Sequence, residues 1–225
     1  MEKTIAVLCP WGLDTGLLSK AVSMADNVHV LVPESDASDA ARFGGQVIHT
    51  LLKAPEDEGL LAEWLANKTL VWGSNVILAP ATIRMRNVMP MLAYRLKAGL
   101  TADCTELSLD GDNLVQTRPA FGNSLMAKIH SLSTVQMATV RPGTFRSVET
   151  PSAEPVVIKE DYAEAGSLIG RPTFRSFEDG VPLGQADIIV AGGAGIGSRE
   201  GFQKLESLAG KLGGSLAASR NAVDA

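Results

Sequence analysis

Along the first hundred residues, short runs of Val, Ile and Leu alternate with stretches whose apolar positions recur at helical spacing. That alternation predicts an α/β protein, a mainly parallel sheet with helices on both faces. Strands are expected at Thr4–Cys9, Val28–Val32, Val47–Leu51 and Val76–Ala79, and helices near Asp14–Ala25, Pro55–Ala66 and Met85–Ala98. In the second of these helices Leu60, Leu61, Trp64 and Leu65 make one apolar stripe. Glu56, Asp57 and Glu58 crowd its start, where the helix dipole favours anions.

From Cys104 the period changes to strand after strand: Cys104–Leu109, Leu114–Arg118, Leu125–His130 and Met137–Val140. The turn Asp110-Gly111-Asp112-Asn113 between the first two is a hairpin signal, so an antiparallel excursion is expected to decorate the sheet. Prolines and glycines thicken at 141–155 and again at 166–184, and the second stretch is the better domain boundary. We therefore divide the chain into residues 1–182, an α/β domain, and residues 183–225. The latter read as strand Ala186–Ala191, glycine turn 192–198, an amphipathic helix to Leu212 and strand Ser215–Ser219. About forty residues are too few to bury a core. They are expected to be the opening βαβ of a doubly wound domain that continues beyond Ala225.

Composition narrows the function classes. At 45% apolar and 20% charged residues the chain is neither disordered nor fibrous. Its net charge of −5 would not hold a polyanion, so nucleic acid is not an expected partner. The longest uncharged stretch, Thr69–Ile83, is too short and too polar to span a bilayer. Without a signal or transit pattern at its start, the chain is expected in the bacterial cytoplasm. Cys9 and Cys104 have no metal-ligand spacing and read as buried reduced thiols.

The glycine turn is the strongest local candidate for a site. Glycines there let backbone N–H groups and the positive end of the following helix approach an anion such as a pyrophosphate. Gly193-x-Gly195-x-x-Ser198 lacks the third glycine of the dinucleotide fingerprint, and no carboxylate follows the next strand to hold a ribose. Ser219-Arg220 stands there instead, which leaves an NADP site open, and also an inert turn that is Gly-rich for packing. Arg84, Arg86, Arg95, Arg118, Arg141 and Arg146 recur at element ends, where they would clamp a phosphate or form surface ion pairs. His29, His49 and His130 lie on no nucleophile elbow and share no ligand spacing with each other or a carboxylate. No catalytic triad and no metal site is expected; His29 and His49 read as strand-surface or satisfied core residues. Met85, Met89 and Met91 read as packing residues of a helix.

Two distant blocks, taken together, resemble the α-subunits of electron transfer flavoproteins, including the FixB-type proteins. The first is Ala93–Leu107 (AYRLKAGLTADCTEL), continued by Thr117–Gly122 (TRPAFG) and Gln136–Gly143 (QMATVRPG). The second is Ala186–Val190 with Gly192, Gly193, Gly195, Gly197 and Ser198, ending in Ala218–Ala225 (ASRNAVDA). The resemblance implies an N-terminal domain similar to adenine-nucleotide-binding α/β folds and a C-terminal domain that holds FAD. It also implies a β-subunit partner, and electrons received from flavin dehydrogenases of the acyl-CoA type, as in fatty acid β-oxidation, and passed to an acceptor. That is a carrier and not an enzyme in the ordinary sense. By matching position, Ser219 and Arg220 correspond to the family's flavin-contacting pair, with Gly193, Ala194 and Gly195 in the cofactor turn. Where the family usually carries arginine, this chain has Ala194, so one cationic contact is missing. Because the family continues for roughly another hundred residues with most of its flavin contacts, more than forty residues supply, this 225-residue chain is expected not to hold FAD stably. The competing readings are an NADP-dependent oxidoreductase that uses the 192–198 turn and Arg220, and a non-redox nucleotide or interaction module on the N-terminal domain.

Overall fold

A computed structural model describes residues 3–53, 56–121, 124–162, 183 and 186–224. The chain divides into two compact units, Met1–Gly170 and Arg171–Ala225. The predicted boundary at 182–183 adjoins residues 163–182, which lie outside the described residues.

In the first unit, β1 (Thr4–Leu8), β2 (Asn27–Pro33), β3 (Val47–Leu51) and β4 (Val76–Pro80) alternate with α1 (Thr15–Val22), α2 (Ala37–Arg42), α3 (Glu58–Val71) and α4 (Ile83–Leu96). β5 (Gly99–Cys104), β9 (Gln136–Val140) and β10 (Val156–Lys159) complete a seven-stranded sheet in the order β10-β3-β2-β1-β4-β9-β5. Every neighbouring pair in it is parallel. Helices cover both faces, as the apolar runs predict. Ile5, Val7, Val28 and Val30 pack with Leu17, Leu18 and Ala21 of α1 and Ala40 of α2. On the opposite face Ala6, Leu8 and Leu31 pack with Leu61 and Leu65 of α3 and Met85, Val88 and Met89 of α4.

The helices start where side chains can satisfy orphan N–H groups. Asp14 caps α1 at Leu17 N, Asp57 accepts from Gly59 N and Leu60 N, and Thr82 caps α4 at Met85 N. Pro90 sits inside α4; the helix tolerates it on an exposed face. The predicted helices therefore hold with shifted ends. In the first unit α2, whose six residues carry one buried alanine, and the strands β5 and β10 were not expected.

The antiparallel excursion is β6 (Glu106–Asp110), β7 (Asn113–Ala120) and β8 (Leu125–His130), with the expected hairpin turn between the first two. Met137–Val140 does not belong to it. As β9 it returns to the parallel sheet between β4 and β5. Two buried amides fix the excursion to that sheet. Gln116 accepts from the Thr101 hydroxyl at 2.6 Å and donates to Met137 O at 3.0 Å. Gln136 accepts from Leu114 N at 2.5 Å and donates to Asp112 O at 3.2 Å.

In the second unit β11 (Ile189–Gly192) and β12 (Ser215–Ala218) pair in parallel across α5 (Arg199–Leu212), and a short α6 (Arg220–Val223) follows. Strand, turn, helix and strand stand in the predicted order.

Candidate functional site

The glycine turn lies at the carboxyl end of β11. The chain passes from Gly192 through a 3-10 turn, Ala194–Ile196, to Gly197 at φ +71° and Ser198, whose hydroxyl accepts from Gly201 N at 3.1 Å. Ser198, standing in place of the fingerprint's third glycine, is thus the N-cap of α5. A Cβ at Gly192 would come within 2.7 Å of Leu205 and Phe202, so this glycine lets α5 sit against the strand. Among the described residues nothing lies within 4 Å of the space a Cβ would fill at Gly195. Its backbone is open to an approaching group.

Parallel pairing sets Gly192 opposite Ala218, and Ser219 N donates to Gly192 O at 2.9 Å. That bond brings the two predicted regions together. The Ser219 hydroxyl stands 3.8 Å from where a Cβ on Gly193 would be. Arg220 follows at once as the first residue of α6, with its side chain 92% exposed and its Nε 3.4 Å from Asp224 Oδ2. Ala194 and Gly195 lie in the exposed turn itself. Sequence distance of more than twenty residues is closed by one βαβ crossover. Backbone N–H groups at a helix start, a hydroxyl and a guanidinium at the carboxyl ends of parallel strands suit an anionic group joined to a flat ring.

A second crevice occupies the carboxyl ends of β1, β4 and β9 in the first unit. About 350 Å³ is lined by Gly12, Asp14, Thr82, Pro142, Phe145 and Ser147 among others. Its lining includes the Asp14 carboxylate, which caps α1. Negative charge at the helix start opposes a phosphate there, so an anionic cofactor is better served by the second unit. Three of the first unit's arginines have local partners. Arg86 binds Asp103, Arg95 lies 3.4 Å from Glu63, and Arg84 lies over the Trp11 ring and 4.0 Å from Glu58.

Both cysteines are buried and free. Burial pushes the Cys9 thiol up to about 12 and the Cys104 thiol up to about 11. Among the described residues no group of His, Cys, Asp and Glu side chains is arranged to hold a metal, and no helix is long and apolar enough to cross a membrane. His49 is a satisfied core residue, as expected, with both ring nitrogens bonded; its partners were not foreseen. His29 touches His49, and His49 touches the Glu160 carboxylate, a cluster that neither their spacing nor their neighbours announced.

Residues 12–165 match the family model for the electron transfer flavoprotein domain, and residues 182–225 match that for the electron transfer flavoprotein FAD-binding domain. An electron transfer flavoprotein subunit alpha of Clostridium acetobutylicum is 42% identical over 159 residues, covering 66% of this chain and 47% of its own length. The protein of that name from Thermoanaerobacterium thermosaccharolyticum is 39% identical over 202 residues, covering 85% of this chain and 61% of its own length. The FixB protein of Clostridium saccharobutylicum is 43% identical over 155 residues, covering 66% and 46%. The chain spans about half the length of the curated relatives it matches.

Proposed function

Because the chain belongs to the electron transfer flavoprotein α-subunit family, we propose that it is the scaffold and one edge of the flavin site of an electron carrier. The carrier would be completed by a β-subunit and FAD, taking electrons from flavin dehydrogenases, those of acyl-CoA among them, and giving them to an acceptor. Its setting is the cytoplasm. The observation that carries this reading is the juxtaposition of the open glycine turn with Ser219 and Arg220 at the carboxyl ends of β11 and β12.

FAD when bound supplies reversible electron uptake in its ring. The residues of this chain bind and tune it. Gly193, Ala194 and Gly195 offer backbone to the cofactor, with Gly195 leaving the approach unobstructed. Ser219 is held by the Gly192 bond to offer its hydroxyl beside the turn. Arg220 supplies a permanent cation. Beside the ring it would favour the anionic reduced form and raise the potential, because reduction adds negative charge to the ring system. Carriers need proximity and potential, and this chain's candidate site offers backbone donors, a hydroxyl and a guanidinium beside Asp224.

The test is co-expression of the chain with an electron transfer flavoprotein β-subunit, followed by affinity capture and a visible spectrum. We expect the β-subunit to co-purify. The 225-residue chain alone should carry well under one flavin per molecule. Saturable binding of a 2′-phosphonucleotide at the turn, with no affinity for the β-subunit, would replace this reading by the NADP-dependent one.

A further inference from the structure

Away from the glycine turn, the first unit holds a buried charged cluster for which carrier chemistry has no use. Parallel pairing of β2 and β3 sets His29 Nδ1 2.9 Å from His49 Nε2. His49 Nδ1 lies 2.6 Å from Glu160 Oε1, and Lys68 Nζ donates to Glu160 Oε2 at 2.5 Å. Trp72 stacks on His49 at 4.0 Å between ring centroids. Trp64 meets Tyr162 edge-on at 5.5 Å, and Lys68 lies over Trp64. Trp64, Lys68 and Trp72 follow each other at four-residue steps along α3 and its C-cap, forming one stripe.

All these contacts grip one segment. The strap from Val156 to Tyr162 comprises β10, Glu160 and Tyr162, and it is the last described stretch before the chain runs on towards the second unit. Strand β10 is at the sheet's edge, and Val156, Val157 and Ile158 are 39–55% exposed. By contrast the Glu160 and His49 side chains are 6% and 2% exposed. The strap is held by its ladder to β3 and by this cluster.

Counting hydrogens gives the cluster a defined protonation. Ionised Glu160 only accepts, so His49 Nδ1 carries a hydrogen, His49 Nε2 is an acceptor, and His29 Nδ1 donates to it. One added proton can be shared by the two rings if His29 changes tautomer. A second would set N–H against N–H across 2.9 Å, and protonating Glu160 removes the acceptor on which Lys68 and His49 converge. The closed cluster therefore binds fewer protons than an open one in which water meets each group.

We propose that His29, His49, Glu160 and Lys68 form an acid-released clamp on the strap 156–162. The groups facing His49 are His29 from β2, Lys68 and Trp72 from α3 and its cap, and Glu160 from the strap, with the Tyr162 phenol beyond Trp64. Burial pushes His49 down to about 4 and lowers His29 as well. Burial works against the Glu160 carboxylate, but its bonds to Lys68 and His49 outweigh that and hold it below the usual carboxylate range. With His49 returning to 6.5 on release, opening becomes about twenty-fold more favourable between pH 7 and pH 5.

Hydrogen–deuterium exchange on the full chain, corrected for intrinsic rates at each pH, tests the clamp. At pH 7 the strap amides should exchange at least about ten-fold faster than those of β1 and with little dependence on urea, which marks a local opening. At pH 5 strap opening should rise about twenty-fold. His49→Gln offers one donor and one acceptor without titrating there, and in this variant the rise should shrink below about three-fold. A flat wild-type strap, a strap that opens only with β1 and at its urea dependence, or an unchanged rise in His49→Gln overturns the proposal. If His49→Gln does not fold, the wild-type comparison decides alone.

Discussion

Replacing Gln116 by leucine tests how the antiparallel excursion is fixed to the parallel sheet. Gln116 is fully buried, and each end of its amide is used: the oxygen accepts from Thr101, itself 7% exposed, and the nitrogen donates to Met137 O. Gln116→Leu keeps the volume but strands the Thr101 hydroxyl and takes a donor from the Met137 carbonyl. Two orphaned groups at about 1–3 kcal/mol each, less about 1 kcal/mol gained by an apolar side chain, leave a net loss of about 3 kcal/mol. For a chain of this size that lowers Tm by about 6–12 °C. Urea unfolding followed by tryptophan fluorescence reads the first unit selectively, since Trp11, Trp64 and Trp72 all lie in it. Adding Thr101→Val removes the stranded hydroxyl and should recover at least about 1 kcal/mol. A loss under about 1 kcal/mol for Gln116→Leu, or a double variant that loses the plain sum, would refute the reasoning.

Three further outcomes follow from the same structure. Gly16→Ala places a Cβ 2.2 Å from the Phe145 carbonyl oxygen, a backbone atom that cannot swing aside, and should cost about 3 kcal/mol in urea unfolding. Neither Cys9 nor Cys104 should react with a thiol reagent at pH 8 in the native protein, because burial raises both thiols to about 12 and 11, and both should react once it is unfolded. His49 has a folded pKa below 6.5, so its contribution to stability is whole above that value and lost as pH falls towards 4; the urea midpoint should drop between pH 7 and pH 5 by the equivalent of about 2 kcal/mol.

Much of the fold was legible because four strands of the first unit are short runs rich in Val, Ile and Leu, and α1, α3 and α4 carry an apolar face. What escaped depended on distant partners. Met137–Val140 reads as one more strand after a hairpin, and only its pairing with β4 and β5 shows that it closes the parallel sheet. β10 is four exposed residues after a proline-rich stretch, with no core face to produce alternation. In the second unit Gly193 and Ser219 were legible as a pair because their juxtaposition needs a single βαβ crossover. His29, His49 and Glu160 are drawn together by two successive parallel registers and 111 residues of chain between the last two. No local pattern records that.

The location of the cofactor is the claim on which the functional reading stands, and photolabelling of the chain in complex with an electron transfer flavoprotein β-subunit, using an azido-FAD, measures it directly. Peptides from the labelled chain, mapped by mass spectrometry, should carry the label within 192–198 or at Ser219–Arg220, and excess FAD should suppress it. Label confined to residues 9–16 or 80–85, at the crevice of the first unit, or label that FAD does not suppress, would contradict the account.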